Sequence, residues 1–174
     1  MISTTMLLSN LGARDRTLFQ RCALADSSRL ARVFWTILTN AGGATCTMLA
    51  ATLPLLMGGA LADIGRQALA TLVLSHLIVQ VIKRTVGRPR PSRGLASTAL
   101  VVEPDRFSFP SGHATAAMSV AFIYASAYPS LALPLVVLAA GIGMSRVFLG
   151  VHYPGDVIVG QVIALLTGVA VLQR

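Results

Sequence analysis

From residue 34 to the C-terminus the chain alternates long apolar runs with short polar interruptions. The first run covers roughly 34–61, from Phe34 through the Gly42-Gly43 pair to Gly58-Gly59, with Pro54 as a possible kink point that bundled helices tolerate. Asp63 and Arg66 mark a short polar turn, and a second run follows at about 67–83. Residues 84–111 then hold five arginines and four prolines, which reads as a loop. Helix resumes near Gly112 and runs to about Tyr128; Pro129-Ser130 makes a tight turn; a fourth run covers about 131–149. A second loop, Val151 to Gly155, precedes a fifth run from Asp156 to about Leu172, with Pro154 at a helix start. A bilayer crossing needs about 20 apolar residues. The long apolar runs lack the alternation of a membrane barrel, so the pattern predicts an all-α polytopic transmembrane bundle of about five spans. Residues 1–32 are mixed. Leu18, Phe19 and Cys22 share a helical face there, which suits an interfacial amphipathic helix, with a partly ordered tail as the alternative. The chain reads as a single membrane domain, 1–32 the interfacial segment and 33–174 the transmembrane core.

Composition supports that picture. Of 174 residues, 55% are hydrophobic and only 11% charged, against about 25% charged in soluble domains. The scarce charges are lopsided, with 14 Lys+Arg, 6 Asp+Glu and a net charge of +8. Such a basic excess usually suggests nucleic acid, but so apolar a chain argues against that partner. Cys22 and Cys46 fit neither a metal motif nor a disulfide framework. No secretory signal peptide is evident.

Parity puts the two unusual loops on one face, because the chain crosses once before the Pro129 turn and once after it. Three clusters meet there: Lys83 to Pro91, Pro110-Ser111-Gly112-His113, and Ser145-Arg146 with His152 and Asp156. Lys83, Arg90 and Arg146 put three cations at one membrane face, where ionisable groups are costly and functional. Arginine offers a planar fork to phosphate oxygens and lysine a point charge. Ser111-Gly112-His113 opens a helix, whose N–H groups and dipole favour an anion. The set reads as a phosphate cradle. Asp156, four residues after His152, can hold one imidazole N–H and leave the other nitrogen as a nucleophile. His113 can protonate the leaving oxygen. Carboxylates are too few nearby for a two-metal site.

These clusters resemble the type 2 phosphatidic acid phosphatase (PAP2) superfamily, which includes the vanadium haloperoxidases. The family pattern is Lys, six residues, Arg-Pro; then Pro-Ser-Gly-His; then Ser-Arg, five residues, His, three residues, Asp. All eleven specified positions match between Lys83 and Asp156. The resemblance implies a haloperoxidase-like helical core and metal-independent chemistry with no cofactor. It implies His152 as the nucleophile that forms a phosphohistidine, Asp156 as its orienting carboxylate and His113 as the leaving-group acid. Lys83, Arg90 and Arg146 become the phosphate clamp, and Ser111 and Gly112 hydroxyl and backbone donors. Many bacterial members have six spans, and five are counted here.

The remaining polar residues have plainer readings. Arg84, Arg88 and Arg93 read as surface or headgroup contacts. His76 reads as a hydrogen-bonding residue within the bundle, and Ser145 as a helix-packing residue or a catalytic one. Asn40 and the Gly42-Gly43 pair read as bordering a lipid-tail groove. The expected reaction is hydrolysis of a phosphomonoester or terminal diphosphate on a lipid, such as phosphatidate, phosphatidylglycerol phosphate, phosphorylated lipid A, a phosphorylated sphingoid lipid or a polyprenyl (di)phosphate. The alternative is non-hydrolytic binding or transport of such a lipid. The resemblance places the chain in a bacterial inner membrane. Counting arginines outside the clamp, nine lie on the active-site face and two, Arg66 and Arg174, on the other. By the positive-inside rule that favours a cytoplasmic site, although many bacterial relatives act on the outer face. Oligomeric state has no signature in the sequence.

Overall fold

The computed structural model describes residues 4–23, 28–95 and 97–174. The expected interfacial segment therefore includes stretches, 1–3 and 24–27, outside the described residues. Eight α-helices are described: α1 (Thr4–Cys22), α2 (Arg29–Ala41), α3 (Ala44–Thr52), α4 (Gly59–Val86), α5 (Pro91–Gly94), α6 (Gly112–Ala127), α7 (Ala132–Phe148) and α8 (Pro154–Leu172). Among the described residues there is no strand, only an isolated bridge between Pro89 and Phe107. Three segments are long and apolar enough to cross a membrane: α4, Pro129–Phe148 and α8. The apolar element Ala44–Leu56 and the 16-residue α6 are shorter.

Two expected boundaries move. The run 34–61 is not one helix: it breaks at Gly42-Gly43 into α2 and α3, and α3 ends in a 3-10 turn, Leu53–Leu56, that contains Pro54. The break lets the chain pass very close to α7, since a Cβ on Gly42 would collide with Ile142 Cγ2. Asp63 and Arg66 are not a turn. They lie inside α4 as an exposed i, i+3 ion pair, which a helix surface accommodates. The turn is at Gly58-Gly59, where φ is +72° and +55°, a region that glycine enters without steric cost.

The long helical segments alternate in direction. Trp35 of α2 stacks on Phe148 at the end of α7, ring centroids 4.4 Å apart. Further on, the Tyr124 hydroxyl late in α6 donates to Ala50 O of α3 at 2.8 Å. So α2–α3 descends beside α7, α4 returns, α6 descends, α7 returns and α8 descends. At the centre α6 packs on α3, α4, α7 and α8. Its interfaces use small side chains, with Ala117, Ala121, Ala139 and Ala164 around Met118 and Ile142. Ser75 of α4 and Ser119 of α6 share a buried 2.9 Å hydrogen bond, the small-and-polar packing that suits helices in lipid. At the loop end of the bundle α1 lies against α7 and α8. Phe19 is buried there and Cys22 half-buried, whereas Leu18 is half exposed.

Candidate functional site

The ends of α4, α6, α7 and α8 converge, and the three sequence clusters meet there. Lys83 occupies the last turn of α4 and is buried. Arg90 precedes α5 and is fully buried. Ser111 is the residue before α6, and its N–H donates to Asp156 O of α8 at 2.9 Å, tying two helix starts together. Arg146 ends α7. His152 sits in the loop just before α8, and Asp156 falls in the first turn of that helix.

Arg90 organises the centre. Its Nη1 donates to Val151 O at 2.9 Å and stands 3.3 Å from His152 Nε2. A guanidinium has no acceptor, so Nε2 must present its lone pair and Nδ1 must carry the proton. Nδ1 faces Asp156 Oδ2 at 3.5 Å, short of an aligned hydrogen bond. Contacts of this kind tighten on substrate binding. Asp156 is itself fixed: its Oδ2 accepts the Tyr153 N–H at 2.8 Å. Burial pulls the His152 imidazole down to about 4, against the upward pull of Asp156. The ring is therefore neutral at physiological pH.

Unpaired buried donors cluster around it. Among the described residues the buried side-chain atoms without a hydrogen-bond partner are Ser97 Oγ, Ser111 Oγ, Arg146 Nε and Nη2, and His152 Nδ1. All but the first belong to the predicted site. Arg146 is held by one arm only, Nη1 donating to Thr39 Oγ1 at 2.8 Å. Leaving such groups unpaired costs about 1–3 kcal/mol each, so the arrangement is poised for an anion.

A cavity of about 540 Å³ runs from this centre to the apolar flanks of α3 and α4. Lys83, Asp105, Gly112, His113 and His152 line its polar end; Met48, Leu72, Val73 and Leu77 line the apolar end between α3 and α4. Gly42 borders it. His76 and Gln80, paired at 3.1 Å, lie along the wall.

Two participants escaped the sequence reading. Asp105 Oδ2 accepts from Lys83 Nζ at 2.6 Å, and its Oδ1 pairs with Arg90 Nη2 at 3.1 Å. Although burial works the other way, Lys83 and Arg90 hold its carboxyl below the usual range. Two acids, Glu103 and Asp105, in a loop with five arginines were the available signal. Arg88, expected at the surface, instead turns inward and donates to Asp156 Oδ1 at 2.7 Å. Arg84 and Arg93 are exposed as expected. Ser145 is buried and donates to Ile142 O of its own helix at 2.5 Å.

The family model for the PAP2 superfamily matches residues 65–174, more than half of the chain and all three clusters. The chain belongs to the PAP2 superfamily. Lipid A 1-phosphatase of Rhizobium johnstonii is 37% identical over 102 residues, covering 56% of this chain and 42% of the relative. Decaprenylphosphoryl-5-phosphoribose phosphatase of Mycobacterium tuberculosis is 42% identical over 98 residues, covering 56% and 54%. The chain spans about half the length of these curated relatives. The crystal structure of Aquifex aeolicus LpxE superposes with a TM-score of 0.80 at 25% identity, covering 91% of this chain and 94% of that one. With three helices able to cross a bilayer, this PAP2 protein is an integral membrane protein.

Proposed function

We propose that the protein is a metal-independent lipid phosphate phosphatase that works through a phosphohistidine on His152. The observation that carries the reading is the ring of buried, unpaired donors from Ser111 and Arg146 beside a neutral His152 whose lone pair faces Arg90. The relatives named for phosphate removal from lipid A and from a polyprenyl-linked sugar phosphate support the substrate class.

In the first step the Nε2 lone pair attacks phosphorus. The bond from phosphorus to the leaving oxygen breaks, and His113 delivers a proton to that oxygen. The phosphate's negative charge favours the imidazolium form of His113 that this needs. Lys83, Arg90 and Arg146, with Ser111 Oγ and the Gly112 N–H, neutralise charge that develops on the phosphoryl oxygens. Asp156 stabilises the Nδ1–H as the ring becomes cationic. In the second step His113 takes a proton from water, the water oxygen attacks phosphorus, and the P–N bond breaks. Inorganic phosphate leaves and His152 is neutral again.

The apolar end of the cavity, between α3 and α4, suits the tail of a lipid whose phosphate reaches His152. Five membrane passes, namely α2–α3, α4, α6, α7 and α8, form one catalytic domain with α1 at its interface. The site lies on the cytoplasmic face of a bacterial inner membrane, as the arginine asymmetry favours. Reporter fusions to both termini test that orientation, and an external N-terminus contradicts it. The reaction itself is tested with purified protein in detergent and EDTA, given a panel of lipid mono- and diphosphates. Phosphate release that His152→Ala abolishes supports it. Binding without release from any lipid favours a carrier instead.

A further inference from the structure

The reaction just described uses His152 and Asp156 but leaves unexplained a partly buried ion-pair chain behind them. Arg88 Nη1 donates to Asp156 Oδ1 at 2.7 Å, and Arg88 Nη2 pairs with Asp15 Oδ2 of α1, also at 2.7 Å. The other Asp15 oxygen accepts the Gly155 N–H at 2.8 Å, in the first turn of α8. The Arg88 guanidinium lies 3.9 Å over the Tyr153 ring, and Phe19 of α1 packs edge-on against that ring with centroids 5.5 Å apart. Asp156 is fully buried, and the side chains of Asp15 and Arg88 are 14% and 23% exposed.

We propose that Arg88 and Asp15 are positioning residues for the nucleophile, so that α1 supplies the outermost member of a chain His152–Asp156–Arg88–Asp15. The division of labour follows from which oxygen each partner takes. Arg88 claims Oδ1 of Asp156, leaving Oδ2 for the Tyr153 N–H and the His152 Nδ1–H. A buried carboxylate needs such a partner to stay ionised. An unbalanced arginine, however, would drain the negative field that Asp156 exerts on the imidazole. The Asp15 carboxylate cancels that charge, and its second oxygen fixes the backbone that carries Asp156. Residues that orient a metal ligand from behind typically matter about 10–100-fold, and a nucleophile held from behind should respond on the same scale.

This inference rests on His152 being the nucleophile, and two readouts keep the ideas separable. Asp15→Asn keeps the shape and an acceptor for the Gly155 N–H but removes the charge. The expected result is a kcat about tenfold lower with KM within about twofold, at an unchanged thermal midpoint in detergent. Arg88→Gln should cost about 100-fold, and adding Asp15→Asn to it should change little, because linked residues are non-additive. Additive losses, or an unchanged kcat in Asp15→Asn, overturn the proposal. The second readout needs no turnover: 15N-histidine NMR should show the His152 Nδ1–H resonance moving in Asp15→Asn. An unmoved resonance overturns the proposal whatever the activity. Absence of phosphate release by the unmutated protein defeats the phosphatase reading alone, and the resonance then decides this one. Should Asp15→Asn misfold, Arg88→Lys, which reaches one carboxylate at a time, is read in the same way.

Discussion

Arg90 Nη1 stands 3.3 Å from His152 Nε2, and because arginine only donates, that contact fixes the histidine tautomer from the phosphate side. The same guanidinium holds Asp105 and Val151 O, so one residue sets clamp, loop and nucleophile together. Arg90→Lys keeps the charge and loses the fork. It should lower kcat by about 10²–10³-fold, the usual cost of one preorganised charge-stabilising donor. Steady-state kinetics on a short-chain lipid phosphate checks this, and a loss confined to KM contradicts it.

Asp156 faces the protonated Nδ1, so Asp156→Asn puts an amide beside it and favours the wrong tautomer. A fall in kcat of about 10⁴ is expected by analogy with the equivalent change in a serine-protease triad. Chemical trapping of the phosphoenzyme would show whether the loss falls on its formation, as predicted.

Burial lowers His152 to about 4 in the folded protein, from 6.5 in the unfolded chain. Between those values the unfolded state binds the extra proton. Stability therefore rises with pH across that window and is lost as pH falls from 6.5 towards 4. Histidine NMR should show His152 neutral at pH 6. Replacing it with Gln should flatten the acid-side loss of thermal stability, and an unchanged pH dependence would contradict the assignment.

Asp105 occupies donors of Lys83 and Arg90 that a phosphate oxygen also needs. Removing its charge in Asp105→Asn frees them and lifts a repulsion. Inorganic phosphate should then inhibit about fivefold more strongly, the equivalent of roughly 1 kcal/mol. Weaker or equal inhibition would mean that Asp105 organises the clamp more than it competes for it.

Much of this site was legible because its residues stand at fixed spacings beside helix ends. Parity put Lys83, His113 and His152 at one end of the bundle, and all three line one cavity. Arg88 was misread because its partner Asp15 belongs to α1, and a pairing across distant segments has no local spacing. The Asp63-Arg66 error has a similar origin: a polar pair resembles a turn unless its i, i+3 ion pair on a continuing helix is recognised. The glycine pair at 42–43 was read as lying within one continuous run and bordering a lipid-tail groove; the break there was not legible, because the neighbour it accommodates, Ile142, lies on α7.

The most direct test of the central claim is mass-spectrometric mapping of the phosphoryl group during turnover. Purified protein in detergent with EDTA would be mixed with a lipid phosphate and quenched in alkali within milliseconds. The account predicts an acid-labile phosphoryl group on His152, formed and lost at rates compatible with kcat and absent from His152→Ala. Phosphate release by His152→Ala at the unmutated rate, or a phosphoryl group on another residue, would contradict it.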